Sequence, residues 1–382
     1  MDWKSVKKLH IEITSQCNAV CPLCRRYSYA GYEVIPSINK SQVWTLDDVK
    51  RKLPPEDLKG IEILILNGNF GDFIMHPEPL GILRYFVEHC NLRGPIQIAT
   101  NGSGRNEKFW EELATIPNIQ VLFAIDGLED THHLYRRETD FNKIITNAQS
   151  FIDAGGDATW IMTVFRHNEH QTDACFEMSK ALKFNNFIMR DNSRDKIFAY
   201  NRDRTSSYPI RNRVNKKERQ LSQYGYPINH LETPDEKYHN HSLSVIAKIN
   251  EGTYKSIQFV DRPSKQFERS NCRVFGETNE IFISARWLVV PCCHLATHLE
   301  LGNLSNNFDS ITAVINANGS SIDNMSALDK TVKEVYEENQ GYQWVADKFD
   351  NTPMRVCTST CGTDGGFAKS FNKRQLIPIE QK

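Results

Sequence analysis

Three cysteines, Cys17, Cys21 and Cys24, lie within one short segment of the chain. Separations of four and three residues allow their thiolates to surround one face of an iron–sulfur cube, in which cysteine sulfur holds each iron. Three ligands leave the fourth iron open to a small molecule, whereas four would produce a saturated electron carrier. Zinc is the alternative, but a structural zinc ion usually needs four ligands and the adjoining stretch offers no fourth Cys or His. The spacing therefore predicts a [4Fe-4S] cluster with an open iron.

The elements that must position this cysteine loop (residues 17–24) follow a repeating pattern. Apolar, strand-like runs cover residues 9–14, 61–67, 96–100, 121–126, 159–165 and 187–190. Amphipathic, helix-like segments cover residues 46–53, 80–89, 107–114, 141–154 and 174–184. Six such repeats predict an α/β fold, a partial (β/α)6 barrel similar to a TIM barrel. Functional residues are then expected beyond the carboxyl ends of the strands, where the cysteine loop falls.

A second cysteine group follows in the last third of the chain, around a predicted hairpin of residues 281–284 and 288–290. Four thiolates from the hairpin and a distant tail can surround a second cube. The ligands that we predict are Cys272, Cys292, Cys357 and Cys361. Cys293 can replace Cys292, because adjacent residues after a strand point to opposite faces. A zinc site of three thiolates with His294 is the alternative.

These patterns divide the chain into three predicted parts. Residues 1–195 form the barrel, residues 196–255 a charged linker or insertion, and residues 256–382 a smaller α+β cluster-binding module with a helix over 330–348. Cys90 and Cys175 fall in helix-like segments without cysteine neighbours, so we expect them to be core thiols.

Three motifs after successive strands extend the pattern beyond the cysteines. They are Asn-Gly-Asn-Phe-Gly-Asp at 67–72, Ile-Ala-Thr-Asn-Gly at 98–102 and Ala-Ile-Asp-Gly at 124–127. In this order, with Cys-x3-Cys-x2-Cys, they resemble the radical S-adenosylmethionine (SAM) family. The resemblance implies SAM contacts from Gly71, Asp72, Thr100, Asn101 and Asp126. The chain departs from the family at Leu23, where an aromatic residue is common, at Asp72 in place of Glu, and at Ala124 in place of Ser.

The resemblance also implies an activity. SAM would bind the open iron, and reductive cleavage would give methionine and a 5'-deoxyadenosyl radical that abstracts hydrogen from a substrate C–H bond. Flavodoxin or ferredoxin would supply the electron. The Arg-Trp turn at 286–287, Pro-Cys at 291–292 and Gly-Asn-Leu at 302–304 resemble the auxiliary-cluster modules called SPASM and twitch. There are too few cysteines for two auxiliary clusters, so a single-cluster twitch domain is expected. Such modules imply oxidative modification of a peptide, protein or small natural product, with the catalytic residues not identified.

The charge composition of the chain limits which classes of binding partner are expected. The 382-residue chain has a net charge of -1 and a pI of about 6.9, so no global charge favours nucleic acid or an anionic membrane. Residues 190–219 nevertheless carry ten Lys or Arg against four acidic residues. We interpret this stretch as a solvated linker or insertion, with a contact surface for an acidic substrate, phosphate or nucleic acid as the alternative. Radical modification of a nucleotide or nucleic acid is therefore the second hypothesis, and a zinc-stabilised binding protein is the third.

The absence of a long apolar run and of a signal peptide predicts a cytoplasmic protein without a membrane partner. Ten cysteines in that compartment are more typical of metal binding than of disulfides. Among the remaining polar motifs, we expect His132 and His133 on a helix surface and a structural role for His76 and Glu78. Arg136 and Arg137 are either exposed arginines or contacts to SAM or substrate.

Overall fold

The computed structural model describes residues 2–27, 33–39, 42–190, 198–200, 207–209, 231–232, 234, 245–248, 274, 279–302, 308–345 and 347. A nine-stranded sheet dominates them, with strand order β11-β10-β1-β2-β3-β4-β5-β6-β9. Its members are β1 (Lys8–Ile11), β2 (Ile63–Leu66), β3 (Ile96–Thr100), β4 (Ile119–Ala124), β5 (Asp157–Thr163), β6 (Asn186–Arg190), β9 (Val245–Lys248), β10 (Glu280–Ile283) and β11 (Val289–Val290). A separate antiparallel pair consists of β7 (Phe198–Tyr200) and β8 (Ser207–Pro209).

The strands from β10 through β6 run parallel, and β11 and β9 close the two edges in the antiparallel direction. The helices are α1 (Pro36–Asn39), α2 (Leu46–Lys52), α3 (Pro55–Leu58), α4 (Pro79–His89), α5 (Glu107–Ala114), α6 (Glu129–Tyr135), α7 (Phe141–Asp153), α8 (Thr172–Ala181), α9 (Cys293–Leu301), α10 (Phe308–Ala317) and α11 (Val332–Glu338). The open sheet of parallel strands with intervening helices confirms the predicted partial barrel.

An aromatic layer fills the space between the sheet and its covering helices. Trp110 of α5 lies 5.1 Å from Phe123 of β4 and 6.5 Å from Phe151 of α7, measured between ring centroids. Phe123 also meets Phe184 edge-on at 6.1 Å. All four side chains are fully buried, so this layer supplies apolar burial where α5 and α7 pack on the sheet.

The other face of the sheet is polar toward the amino ends of its strands. Lys8 and His10 alternate with the buried apolar residues of β1, and Glu12 continues the alternation beyond the strand. Across the sheet, Gln97 Nε2 donates to Gln120 Oε1 at 3.1 Å, and Gln120 Nε2 donates to Asp157 Oδ2 at 2.8 Å. Strands β3, β4 and β5 are therefore also joined by side-chain hydrogen bonds on this face of the sheet.

Strand β10 places a late part of the chain directly beside β1. Lys8 Nζ lies 2.5 Å from Glu280 Oε2, and His10 Nδ1 lies 3.5 Å from Glu280 Oε1. Burial raises the pKa of Glu280, but the hydrogen bond from His10 and the charge of Lys8 lower it to about 2. Trp44 and Trp287 stack at 3.8 Å between ring centroids. The hairpin is thus held to β1 by strand pairing and an ion pair, and to the segment before α2 by the stacked tryptophans.

Two elements predicted in the last third of the chain, a helix and a hairpin, can be compared with the structure. The helix expected over residues 330–348 ends at Glu338, because Gln340, Gly341 and Tyr342 take left-handed φ values of 54°, 61° and 58°. The predicted hairpin is confirmed as β10 and β11. The division at residues 195 and 255 stays a prediction. Within the described parts of the chain, none of the helices combines the length and apolarity that crossing a membrane requires.

Candidate functional site

The cysteine loop begins six residues after β1, at the carboxyl edge of the sheet. Cys21 is buried, and Cys17 and Cys24 are half-buried. Ala19, Leu23, Tyr135, Phe165 and Leu231 form the apolar cluster that holds the three cysteines. Leu23, which replaces the aromatic residue common in the family, is fully buried in this cluster. The loop therefore packs its cysteines against apolar side chains of its own and of distant segments, with Cys21 the most buried of the three.

The three thiols lie close enough to influence one another electrostatically. Burial raises the pKa of Cys17 well above its usual range, and Asp72, Cys21 and Cys24 raise it further. Neutral thiols are poor ligands, and a bound metal reverses this by stabilising the thiolate. The donor set suits a cube, in which each cysteine holds a separate iron.

Nitrogen donors face two of the sulfurs. The amide N–H of Ala19 donates to Cys17 Sγ at 3.4 Å, and Asn101 Nδ2 lies 3.9 Å from the same sulfur. Arg136 Nη1 lies 3.9 Å from Cys21 Sγ. Hydrogen bonds and positive charge around cysteine sulfur stabilise thiolates and tune the potential of an iron–sulfur centre. These contacts fit a cluster on this loop.

The loops that follow β2, β3 and β4 at the carboxyl edge of the sheet are here called the rim. Asp72 and Asn101 form its hydrogen-bonded centre. Asp72 Oδ1 accepts the Thr100 hydroxyl at 2.7 Å, and Asp72 Oδ2 accepts both the backbone N–H and the side-chain amide of Asn101 at 2.7 Å. The Asn101 amide also donates to Asn18 Oδ1 at 2.8 Å. Burial raises the pKa of Asp72, while the bonds from Asn101 and Thr100 oppose that rise. These side chains tie the loops after β2 and β3 to the cysteine loop.

The loop after β2, residues 67–72, is here called the glycine-rich loop. A Cβ atom on Gly71 would lie 1.8 Å from the carbonyl oxygen of Thr14, so only glycine permits this approach. The N–H of Asp72 donates to the carbonyl of Gln16 at 2.7 Å. The glycine-rich loop therefore lies directly against the segment that leads into the cysteine loop.

A buried ion pair occupies the rim after β4. Arg136 Nε lies 2.6 Å from Asp126 Oδ2, and Asp126 Oδ1 accepts the N–H of Thr163. Asp126 is fully buried and Arg136 is largely so. The alternative of an exposed arginine pair is thus wrong for Arg136, and Arg137 is also buried. The pair places one fixed positive charge beside Cys21.

His132 differs from its expected position on a helix surface. It is fully buried, and its Nδ1 accepts the N–H of Asp126 at 3.1 Å. Burial lowers the pKa of His132 to about 3, so the ring is neutral and Nε2 donates to Thr139 Oγ1 at 3.1 Å. His133 is partly exposed, as expected of a helix surface. His132 therefore supports the Asp126 loop from within.

His76 has the structural role expected of it. Its Nδ1 accepts the N–H of Glu78 at 3.0 Å, and its Nε2 donates to the carbonyl of Trp44 at 2.6 Å. Cys175 is buried within the main apolar core and Cys90 packs against that core, which fits their interpretation as core thiols.

The second cysteine group is described only in part. Cys292 caps the amino end of α9, and its Sγ accepts the N–H of Leu295 at 3.4 Å. The carbonyl of Cys293 accepts a hydrogen bond from Asn69 Nδ2 at 2.9 Å. Cys272, Cys357 and Cys361 lie outside the described residues. Their ligand roles, and the choice between Cys292 and Cys293, stay predictions.

Metal ligation at the first group stays a prediction too. In the part of the chain that the structure describes, no group of three His, Cys, Asp or Glu side chains is arranged to hold a metal ion. The residues predicted from the sequence all lie on the rim: Gly71, Asp72, Thr100, Asn101 and Asp126. Glu12, whose carboxyl accepts hydrogen bonds from the backbone of the glycine-rich loop, was not among the predicted residues. Its signal was the polar alternation of Lys8, His10 and Glu12 along β1 and beyond it.

Several solved structures resemble this chain, among them two of anSMEcpe and one of SuiB. Native anSMEcpe with bound AdoMet is 14% identical over 95% of this chain and 95% of that chain, with a TM-score of 0.50. A hexahistidine-tagged form of anSMEcpe with bound AdoMet also scores 0.50, at 14% identity over 96% and 91%. SuiB of Streptococcus suis, bound to S-adenosylmethionine, scores 0.45 at 13% identity over 76% of this chain. The match spans 61% of SuiB.

The anSMEcpe similarity shows a shared fold. No protein-family model and no curated protein matches the chain.

Proposed function

We propose that this chain is a radical SAM enzyme that holds a [4Fe-4S] cluster on Cys17, Cys21 and Cys24. The observation that carries the proposal is the position of the cysteine loop, at the carboxyl edge of a parallel sheet and against the three rim motifs. The shared fold with anSMEcpe, which was solved with AdoMet, supports it. When bound, the cluster and SAM supply a 5'-deoxyadenosyl radical that abstracts hydrogen from a substrate C–H bond.

The residues of this chain have positioning roles in that chemistry. The apolar cluster around Leu23 and Tyr135 excludes water from the thiols. Asn101 and Arg136 direct donors at two sulfurs, and Asp126 holds the guanidinium of Arg136 in place. Gly71 permits the close packing of the glycine-rich loop on which a methionine amino group would rest.

The SAM contacts are proposed from the motifs. Gly71, Asp72, Thr100, Asn101 and Asp126 are the residues that we assign to them. Asp72 already accepts donors from Thr100 and Asn101, so it would both shape the rim and meet the SAM ammonium. We expect Asp72→Ala to weaken SAM binding by about 1.5 to 3 kcal/mol without changing the iron content. Asp153→Ala, which removes an exposed carboxylate of α7, is the matched control.

The substrate class is proposed from the likeness of the last third of the chain to twitch and SPASM modules. We propose a second [4Fe-4S] cluster on Cys272, Cys292, Cys357 and Cys361, and oxidative modification of a peptide, protein or small natural product. Flavodoxin or ferredoxin would donate the electron, in the cytoplasm. The basic stretch lies mostly outside the described residues, so nucleic-acid modification is supported by its charge alone.

The central test is anaerobic. Protein reconstituted with iron and sulfide is incubated with SAM and reductant, and 5'-deoxyadenosine is measured by mass spectrometry. Wild type is expected to produce it, and Cys17→Ala, Cys21→Ala and Cys24→Ala are expected not to, because two thiolates hold the cube poorly. Full SAM cleavage in all three variants would exclude this ligand set.

Metal analysis separates the two proposed centres. Replacing Cys17, Cys21 and Cys24 together by Ala should lower the iron content from about eight to about four per chain. Cys357→Ala with Cys361→Ala should spare the first centre and some SAM cleavage but impair substrate turnover. Colourless protein that contains zinc and no iron would favour the zinc-stabilised binding protein instead.

A further inference from the structure

Glu12, which follows β1, supports the glycine-rich loop through hydrogen bonds to its backbone. Its Oε1 accepts the backbone N–H groups of Phe70 and Gly71, each at 2.7 Å. A Cβ atom on Gly68 would lie 2.5 Å from the same oxygen and 2.6 Å from the backbone carbonyl oxygen of Gly71, so glycine is needed where the loop passes the carboxyl. Glu12 is 2% exposed, and its other oxygen, Oε2, has no hydrogen-bond partner within the described residues.

Glu300 of α9 is a second buried carboxyl with one oxygen that has no hydrogen-bond partner among the described residues. It is 5% exposed, and the oxygen in question is Oε2. Helix α9 packs against the glycine-rich loop at both of its ends. Asn69 Nδ2 donates to the carbonyl of Cys293, and Leu301 packs against the apolar cluster that contains Phe70. Ser37 Oγ donates to the carbonyl of Glu300 at 2.7 Å. Both residues also contact the end of β10, because the N–H of Glu12 donates to the carbonyl of Ile283 at 2.9 Å and the carboxyl of Glu300 is hydrogen-bonded to the next residue, Ser284. Two buried carboxyls, each with one oxygen that lacks a partner among the described residues, therefore lie on the same side of the glycine-rich loop as the end of β10.

The surroundings of the two carboxyls disfavour two negative charges. Burial raises the pKa of Glu12 to about 8, and the charge of Glu300 contributes to that rise. The N–H groups of Gly71 and Phe70 and the charge of Arg26 oppose it. Burial also raises the pKa of Glu300 to about 7, against the hydroxyl of Ser284 and the charge of Arg286. Near neutral pH at least one carboxyl is therefore protonated, and a protonated carboxyl donates one hydrogen bond.

We propose that Glu12 and Glu300 share one proton, so that the O–H of one carboxyl donates to the orphaned oxygen of the other and fastens the glycine-rich loop to α9. Glu12 then acts as a positioning residue for the loop that receives the methionine amino group. This last consequence rests on the proposed function, whereas the shared proton does not. No group other than this proton is transferred.

The direction of the pH effect follows from the raised pKa values. Both carboxyls release their protons near pH 4.5 when unfolded and only near pH 7 to 8 when folded. The contribution of these two carboxyls to the free energy of unfolding is therefore fully present below about pH 4.5. It is lost as pH rises through 7 and 8. Above that range two adjacent charges repel, and the glycine-rich loop separates from α9.

The test compares wild type with Glu300→Gln, whose amide keeps an N–H donor but cannot lose a proton in this range. Thermal midpoints of anaerobically purified, cluster-loaded protein are measured from pH 6.5 to 9. The wild-type midpoint should fall about twice as far as that of the variant, because two groups titrate instead of one. Glu177→Gln, which removes an exposed carboxylate of α8, should follow wild type.

SAM affinity supplies the second readout. Between pH 6.5 and 9 wild type should lose roughly tenfold more affinity than Glu300→Gln, which corresponds to one pKa unit of coupling. If SAM binds neither protein, the proposed function fails, and the thermal profiles still decide the shared proton. Parallel thermal profiles for wild type and Glu300→Gln would overturn the proposal. Should Glu300→Gln fail to fold, Glu12→Gln is measured by the same criterion.

Discussion

Between the sheet and helices α5 and α7, Trp110, Phe123 and Phe151 pack through apolar surface alone. Beyond the carboxyl ends of strands β2 and β4, by contrast, Asp72 and Asp126 are held by directed hydrogen bonds. Apolar contacts accept many side chains of similar volume. A buried carboxylate requires each of its donors in place. Strand β4 thus contributes Phe123 to the aromatic layer, which tolerates substitution, and is followed by Asp126 of the rim, which requires each hydrogen-bond donor in place.

The largest effect on stability is expected in the aromatic layer. Trp110→Ala should lower the free energy of unfolding by about 4 kcal/mol, because it leaves a cavity among Phe123, Phe151 and α5. Thermal unfolding measures the loss, and Phe109→Ala, which removes a partly buried ring from the same helix, should have a clearly smaller effect. The iron content of the folded variant should not change. A lower iron content would show that the layer and the rim are not independent.

A somewhat smaller effect is expected at the buried ion pair. Asp126→Asn should destabilise the protein by about 3 kcal/mol, since it leaves the Arg136 charge buried without its partner. Adding Arg136→Met should restore most of that loss, and a double-mutant cycle from thermal unfolding gives the coupling. Additive effects of the two substitutions would mean that the pair contributes nothing specific to the rim.

The smallest effect is expected from a single hydroxyl. Thr100→Val keeps the shape but removes the donor to Asp72 and the acceptor for the N–H of Gly102, so the loss should be about 1 to 2 kcal/mol. Thr115→Val, which changes an exposed hydroxyl on the neighbouring helix end, should have almost no effect. Equal effects of the two substitutions would show that the rim is as tolerant as the aromatic layer.

Local signals account for what the sequence predicted well. Helix α5 and strand β3 have the predicted bounds, because Asn106 caps the helix and the apolar alternation of β3 is uninterrupted. The rim residues were predicted because their three motifs, in this order after successive strands, resemble those of the radical SAM family. The open parallel sheet followed from the repetition of these units.

Features that depend on contacts between distant parts of the chain could not be predicted from the local sequence. His132 and His133 have identical local signals, and only the packing of α6 on the Asp126 loop buries the first of them. The interaction of Glu12 with Glu300 depends on where α9 lies, which no local pattern specifies. The end of α11 at Glu338 depends on three residues in left-handed conformation, of which only Gly341 signals it.

The position of β10 beside β1 has a consequence for synthesis on the ribosome. Ile11 emerges long before its partner Ile283, and at about 5 to 20 residues per second roughly 15 to 55 seconds separate them. During that interval one edge of β1 carries unpaired backbone groups, and the polar side chains Lys8 and His10 face no Glu280. The nascent amino-terminal part is therefore expected to need protection by a chaperone until the hairpin has been translated.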